Sequence, residues 1–380
     1  MRKCIVVSDS FKGTLSSREI CAIAREVIPS VFPACEVVTV PVADGGEGTV
    51  DCFVDAIGAE AVTVTVRGPL GDPVEAVYAR KGPLAVVEMA AAAGLPLAGR
   101  QADPELATTY GVGELIRHAV EHGAREVILG LGGSATNDGG CGCAAALGTR
   151  FMDSQGQSFV PAGASLSRIH RIDTAGTETL LKHVHITAMC DIDNPLFGPA
   201  GAAYVFAPQK GADPLMVDRL DGGLRMLDRA IRKDLSLCVA ELPGAGAAGG
   251  MGAGCVAFLG AELKPGITTV LDTVGFDALV EEADLVITGE GRIDSQSVRG
   301  KVISGIAERT KPRGIPLVAI VGAIDESAAQ AYDLGVTAMF SINRKAMGFA
   351  ESAPLSAANY RRTLEDILRL VCAVSAAPTH

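Results

Sequence analysis

The chain has 380 residues, enough for two or three domains with a large core. Apolar residues make up 48% and aromatic ones only 4%, with no Trp, so the core must be aliphatic and alanine-rich, as suits helices packed on a parallel sheet. A net charge of 33 − 44 = −11 argues against nucleic acid or an anionic membrane surface as a partner.

Ile5-Val6-Val7 reads as a first strand, followed by the turn Asp9-Ser10-Phe11-Lys12-Gly13-Thr14. Ser16 or Ser17, with Glu19 close behind, caps a helix running to about Val31. Glu36 to Val42 is a second strand. It ends in Asp44-Gly45-Gly46-Glu47-Gly48-Thr49, which leads into a helix to Ile57. The pattern then changes. Ala61 to Val66 and Val74 to Ala79 look like paired strands around the turn cluster Gly68 to Pro73, and Leu84 to Glu88 is another strand.

Thr109-Tyr110-Gly111 opens a helix through about His122. Strand Glu126 to Gly130 runs into Gly132-Gly133-Ser134-Ala135-Thr136-Asn137-Asp138, and an alanine-rich helix follows to Leu147. His183 to Cys190 is a strand and Pro214 to Leu235 a long amphipathic helix. From Asp284 the simple alternation returns: strand, helix Val302–Thr310, strand Leu317–Val321, helix near Ala328–Tyr332, strand Ala338–Ile342 and a last helix Ala357–Val374. The expected architecture is α/β with two domains. A doubly wound parallel sheet is formed by 1–66 and 283–380, with a mixed-sheet domain inserted at 67–282. The cleft between them is the expected active-site location.

Several loops carry chemistry. Asp284 to Thr288 is a strand whose carboxyl end delivers Glu290, Arg292, Asp294 and Lys301 among glycines, at the end of an open sheet where ligands sit. Asp191 and Asp193 follow an apolar strand and face one side, roughly 6–7 Å apart along extended chain. One can accept a substrate proton while the other helps hold Mg²⁺. Lys12 is a point charge suited to a carboxylate or phosphate. Ser134 belongs to a loop rich in amides and hydroxyls, and Pro208-Gln209-Lys210-Gly211 supplies another lysine.

Gly244-Ala245-Gly246-Ala247-Ala248-Gly249 matches G-x-G-x-x-G. Pro243 intervenes and no strand leads in, so the dinucleotide fingerprint lacks its context. A phosphate-facing loop followed by a buried helix is the expected use of this uncharged stretch, rather than a membrane span. His118 and His122, at helical spacing, are expected as exposed helix residues. The ten cysteines are scattered and complete no zinc set, which points to buried thiols in a reducing cytosol. The short apolar run at the start is not a signal peptide.

Taken together, Ser8-Asp9-Ser10-Phe11-Lys12-Gly13-Thr14, Asp44 to Thr49, Thr108-Thr109-Tyr110-Gly111, Gly132 to Gly140, Cys190 to Leu196, Pro208 to Ala212, Gly244 to Gly250 and Gly289 to Asp294 resemble the type I glycerate kinases. The resemblance spans nearly the whole chain in order. It departs from the family pattern at Ser8 (usually Pro), Val112 (Thr) and Ile303 (Pro).

The resemblance implies a flavodoxin-like domain carrying an inserted mixed α/β domain. It also implies ATP- and Mg²⁺-dependent phosphorylation of D-glycerate, most often to 2-phosphoglycerate. On that basis Asp191 is the expected base, and Lys12 and Glu290 are counted with it as catalytic. Asp193 and Asp294 are the expected metal ligands. Lys12 and Arg292 grip the glycerate carboxylate, with Ser10, Asp44 and Thr109 also on the substrate side. Lys210 and Lys301 face the transferring phosphate, and Gly244, Gly246, Gly249, Gly250 and Ser134 the nucleotide phosphates. A nicotinamide-dependent hydroxyacid dehydrogenase and a non-catalytic carboxylate-binding regulator are the alternatives.

Overall fold

A computed structural model describes residues 1–11, 13–43, 45–46, 48–294 and 301–375. The expected site residues Lys12 and Asp44 lie outside that set. The chain divides into two units, one of 1–44, 55–57 and 265–380, the other of 45–54 and 58–264.

The first unit is built on a five-stranded sheet in the order Glu36–Pro41, Lys3–Ser8, Leu285–Gly289, Leu317–Val321, Val336–Ser341. Every pairing in it is parallel. Numbered along the unit this is 2-1-3-4-5, the flavodoxin-like doubly wound order. The central strands are nearly continuous apolar runs; Cys4 to Val7 and Leu317 to Val321 are buried throughout. Such runs mark strands covered on both faces, and each buried Val, Ile or Leu contributes roughly 1.5–3 kcal/mol. Helix Ser17–Val31 starts at a reciprocal capping box: the Glu19 N–H donates to Ser16 Oγ, and the Ser16 N–H to Glu19 Oε2.

The second unit carries a six-stranded mixed sheet in the order Glu262–Lys264, His185–Met189, Glu126–Gly130, Leu84–Glu88, Pro73–Lys81, Glu60–Arg67. Its first four strands are parallel and its last two antiparallel. A small antiparallel ribbon of Arg150–Met152, Ser158–Phe159 and Arg171–Asp173 was not foreseen. Strands of two or three residues are too short to show a period.

The domain boundaries differ from those expected at 67–282. Strand Glu60–Arg67 pairs along its whole length with Pro73–Lys81, from Glu60 opposite Arg80 to Arg67 opposite Pro73, so the hairpin stays in one unit. At the other end, helices Gly266–Thr273 and Phe276–Val280 belong to the first unit. There Arg309 pairs with both Asp272 and Asp277, at 2.5 and 2.6 Å. The uncharged stretch after Glu241 forms helix Ala247–Leu259, broken by non-helical backbone at Ala248, Gly249 and Gly250. No helix among the described residues is long and apolar enough to cross a membrane.

Candidate functional site

In the first unit, the carboxyl ends of two neighbouring strands hold the two loops together. The carbonyl of Gly289 accepts from the Asp9 N–H at 2.9 Å and from the buried Ser8 hydroxyl at 3.1 Å. Ser8 therefore ties the loop that begins at Asp9 to the loop that begins at Glu290. The Ser10 N–H turns back onto Asp9 Oδ1 at 2.6 Å. Glu290 is 8% exposed.

The Glu290 loop is then stapled to the segment after strand Leu317–Val321. The Gly322 and Ala323 N–H groups donate to the carbonyls of Glu290 and Gly291, and a two-residue parallel ribbon pairs Arg292 with Ala323. Arg292 extends from this ribbon. Its guanidinium donates to Asp325 Oδ2 at 2.6 Å, and its Nε lies 3.8 Å from Asp294. Asp325 is the residue that sequence reasoning missed. Its carboxyl is held down to about 2 by the Ser327 N–H, the Ser327 hydroxyl and the Arg292 guanidinium. Lys301 sits at the N-terminus of helix Val302–Thr310.

In the second unit the glycine- and acid-rich loops also gather at the carboxyl ends of parallel strands. The Gly132 N–H donates to the Gly45 carbonyl at 2.9 Å, and a Cβ on Gly132 would lie 2.4 Å from Gly46 Cα. Only glycine permits that approach. The Gly139 N–H donates to the Gly249 carbonyl at 3.0 Å, and the Gly246 N–H to the Asn194 carbonyl at 2.9 Å. Loops 132–140, 190–195 and 244–250 thus share backbone bonds, although they are far apart in the numbering. Asp191 and Asp193 are both exposed on the irregular segment that follows strand His185–Met189.

Thr109 and Lys210 are among the expected site residues that prove to be interior. Thr109 is fully buried; its N–H and hydroxyl donate to Asp138 Oδ2, both at 2.8 Å, and its oxygen accepts from the Cys143 N–H. Asp138 also accepts from the Gly140 and Gly142 N–H groups. Burial pushes the Asp138 carboxyl above its usual range, and those donors oppose the shift. Lys210 is 2% exposed, with Nζ donating to Ser134 Oγ at 2.8 Å and to the Thr136 carbonyl at 2.7 Å. Alternating patterns and glycine spacing do not reveal which lysine ends up inside. Gly244, Gly249 and Gly250 have positive φ, and a Cβ at Gly246 would meet the Pro195 carbonyl at 2.3 Å. Backbone at Gly246 and Gly249, and the side chains of Cys190 and Leu196 at Gly244 and Gly250, rather than open space, lie against the glycine run.

His118 and His122 stack at 3.9 Å between ring centroids on their helix; the His118 Nδ1 lies 3.1 Å from the Tyr78 hydroxyl. Among the described residues no group of three or more His, Cys, Asp or Glu forms a ready-made metal cage.

A unit on a parallel sheet and a unit on a mixed sheet, each with polar loops at the carboxyl ends of its parallel strands, define an α/β protein of the ligand-binding kind. The glycerate kinase family model matches residues 4–372, and the chain belongs to that family. It is 43% identical to a glycerate kinase of Bacillus cereus over 96% of this chain and 97% of that protein. It is also 43% identical to the glycerate 2-kinase of Escherichia coli, over 90% of each. A crystal structure from Salmonella typhimurium LT2, named provisionally a glycerate kinase 2, superimposes with a TM-score of 0.88 at 40% identity, covering 99% of this chain and 100% of that one.

Proposed function

We propose that this chain transfers the terminal phosphoryl group of ATP to the 2-hydroxyl of D-glycerate. The observation that carries this reading is the match of residues 4–372 to the glycerate kinase family, the same span that holds the polar loops at the strand ends of both units. The 2-position rests on the relative from Escherichia coli, named a glycerate 2-kinase.

Phosphoryl transfer asks mainly for positioning and charge neutralisation. Asp191, exposed on the irregular segment after strand His185–Met189, is assigned as the base that takes the glycerate hydroxyl proton. Arg292 and Lys12 are assigned to the glycerate carboxylate, and Ser10 and Asp44 to the substrate side as well. Asp325, by holding the Arg292 guanidinium, fixes the plane of its fork. Glu290 is assigned a catalytic role at the end of strand Leu285–Gly289. The loop with Ser134 and the glycines Gly244, Gly246, Gly249 and Gly250 is assigned to the nucleotide phosphates, and Lys301 to the transferring phosphate.

Mg²⁺ in such sites takes one or two carboxylates and leaves its other positions to water and phosphate oxygens. Asp193 and Asp294 are the carboxylates assigned to the ion, each able to offer one oxygen donor. The ion would supply charge neutralisation on the phosphate oxygens.

The nicotinamide reading loses its footing, because the glycine run is entered from turns and bends rather than from a strand and contains left-handed backbone. Asp191→Asn tests the assignment: turnover should fall by about 10²–10⁴ with an unchanged melting temperature. Wild-type turnover in that variant would move the base elsewhere.

A further inference from the structure

A lysine is almost never fully buried unless it is paired, and Lys210 is buried with no carboxylate hydrogen-bonded to it among the described residues. Its Nζ instead donates to one side chain and one carbonyl of a single loop, Ser134 Oγ and Thr136 O. Across the Thr136 carbonyl lies Gly249, where a Cβ would come to 2.0 Å from that oxygen and 2.6 Å from Asn137 Cα. Gly249 is the middle of three successive left-handed residues, Ala248 at φ 53°, Gly249 at φ 68° and Gly250 at φ 89°. The Thr136 carbonyl is therefore caught between an ammonium group and a left-handed turn.

The loop it belongs to is costly to hold in this form. Thr136 Oγ1 and both amide atoms of Asn137 are buried without hydrogen-bond partners among the described residues, and orphaned buried polar groups are destabilising. Backbone bonds from Gly132, Ala135 and Gly139 hold its ends and middle, and the Lys210 ammonium is the side chain that grips Ser134 and Thr136 between them.

We propose that Lys210 is a positioning residue. By holding Ser134 and Thr136 against the turn at Ala248–Gly250, it sets the backbone surface that receives the nucleotide phosphates, without touching them. This deepens the nucleotide-side assignment above and rests on it. Burial lowers the Lys210 ammonium to about 7, and Asp138 is the charged group opposing that shift. The tether's charge thus changes within the working pH range. The charged form makes the stronger bonds to a hydroxyl and a carbonyl.

The test compares Lys210→Met, Ser134→Ala and the double variant in steady-state kinetics with Mg-ATP and D-glycerate, and in calorimetric binding of ADP. Losing a charge-assisted bond predicts that Lys210→Met raises KM for ATP about tenfold and weakens ADP equally, with KM for glycerate moving less than about twofold. The double variant should be no worse than Lys210→Met, because both substitutions cut one tether. In wild type, kcat/KM for ATP should fall as pH rises through about 7, and Lys210→Met should lack that step. Losses that multiply in the double variant would mean that Lys210 contacts phosphate itself and would overturn the proposal, as would unchanged ATP and ADP affinities.

Should Lys210→Met fail to fold, Ser134→Ala alone decides, with Ser134→Thr expected to restore wild-type affinity for ADP. A Ser134→Ala protein indistinguishable from wild type in ADP binding refutes the tether. A wild-type protein that binds ADP yet releases none from ATP with glycerate refutes the glycerate kinase reading instead, and the ADP measurements still judge Lys210.

Discussion

The charge on Lys210 links one side chain to the stability of the whole fold. In the unfolded chain its ammonium titrates near 10.5; burial brings that to about 7 in the native protein. Between those values the unfolded state binds more protons, so this residue makes stability rise with pH from about 7 upward and lowers it as pH falls from about 10.5 toward 7. Urea unfolding at a series of pH values should show that slope in wild type and a flatter one in Lys210→Met. The comparison belongs at pH 7–9, below the range where buried thiols such as Cys4, pushed far above 9.0, contribute the opposite slope. Equal slopes in the two proteins would show that Lys210 is not the group responsible.

Arg292 offers a second residue-level test. Asp325 stays ionised down to about pH 2, so the pair with Arg292 persists across any working pH. Asp325→Asn weakens the fork's anchor and should raise KM for glycerate severalfold with little change in KM for ATP. An unchanged KM for glycerate would remove Asp325 from the substrate side. Neither the Lys210–Ser134 bond nor the Arg292–Asp325 pair was visible beforehand. Asp325 lies thirty-three positions from Arg292, and nothing in its local sequence marks it.

At the level of elements, the break at Ala248–Gly250 makes an opposed pair of predictions. Ala248 holds a conformation that disfavours a side chain by roughly 1–2 kcal/mol. Ala248→Gly should therefore stabilise slightly, by about 0.5 kcal/mol after the added freedom of the unfolded chain is subtracted. Gly249→Ala places a methyl 2.0 Å from the Thr136 carbonyl and should destabilise by about 1–3 kcal/mol. Denaturant melts of the two variants check both signs; two shifts in the same direction would contradict the described turn.

Elements with a clear period were legible in advance. Apolar runs gave strands Leu285–Gly289 and Leu317–Val321, and amphipathic spacing gave helix Pro214–Leu235. The ribbon at Arg150–Asp173 and helices Gly266–Thr273 and Phe276–Val280 were not, because short strands and short helices between turns carry little periodic signal. The left-handed turn escaped notice for a different reason: glycine permits such a conformation without announcing it.

For the molecule as a whole, the alternation at both ends of the chain identified the doubly wound sheet and its discontinuity. Its far edge fell at 264 rather than 282, since packing partners, not composition, decide which unit owns a connecting helix. The gathering of loops 132–140, 190–195 and 244–250 in one unit follows from strand order, which no local pattern encodes.

The claim on which the account turns is the reaction itself. Purified protein incubated with D-glycerate and Mg-ATP should release ADP in step with a phosphate ester whose phosphorus resonance couples to the single C2 proton of 2-phosphoglycerate. No glycerate-dependent ADP, or a phosphorus signal coupled to the two C3 protons, would contradict it.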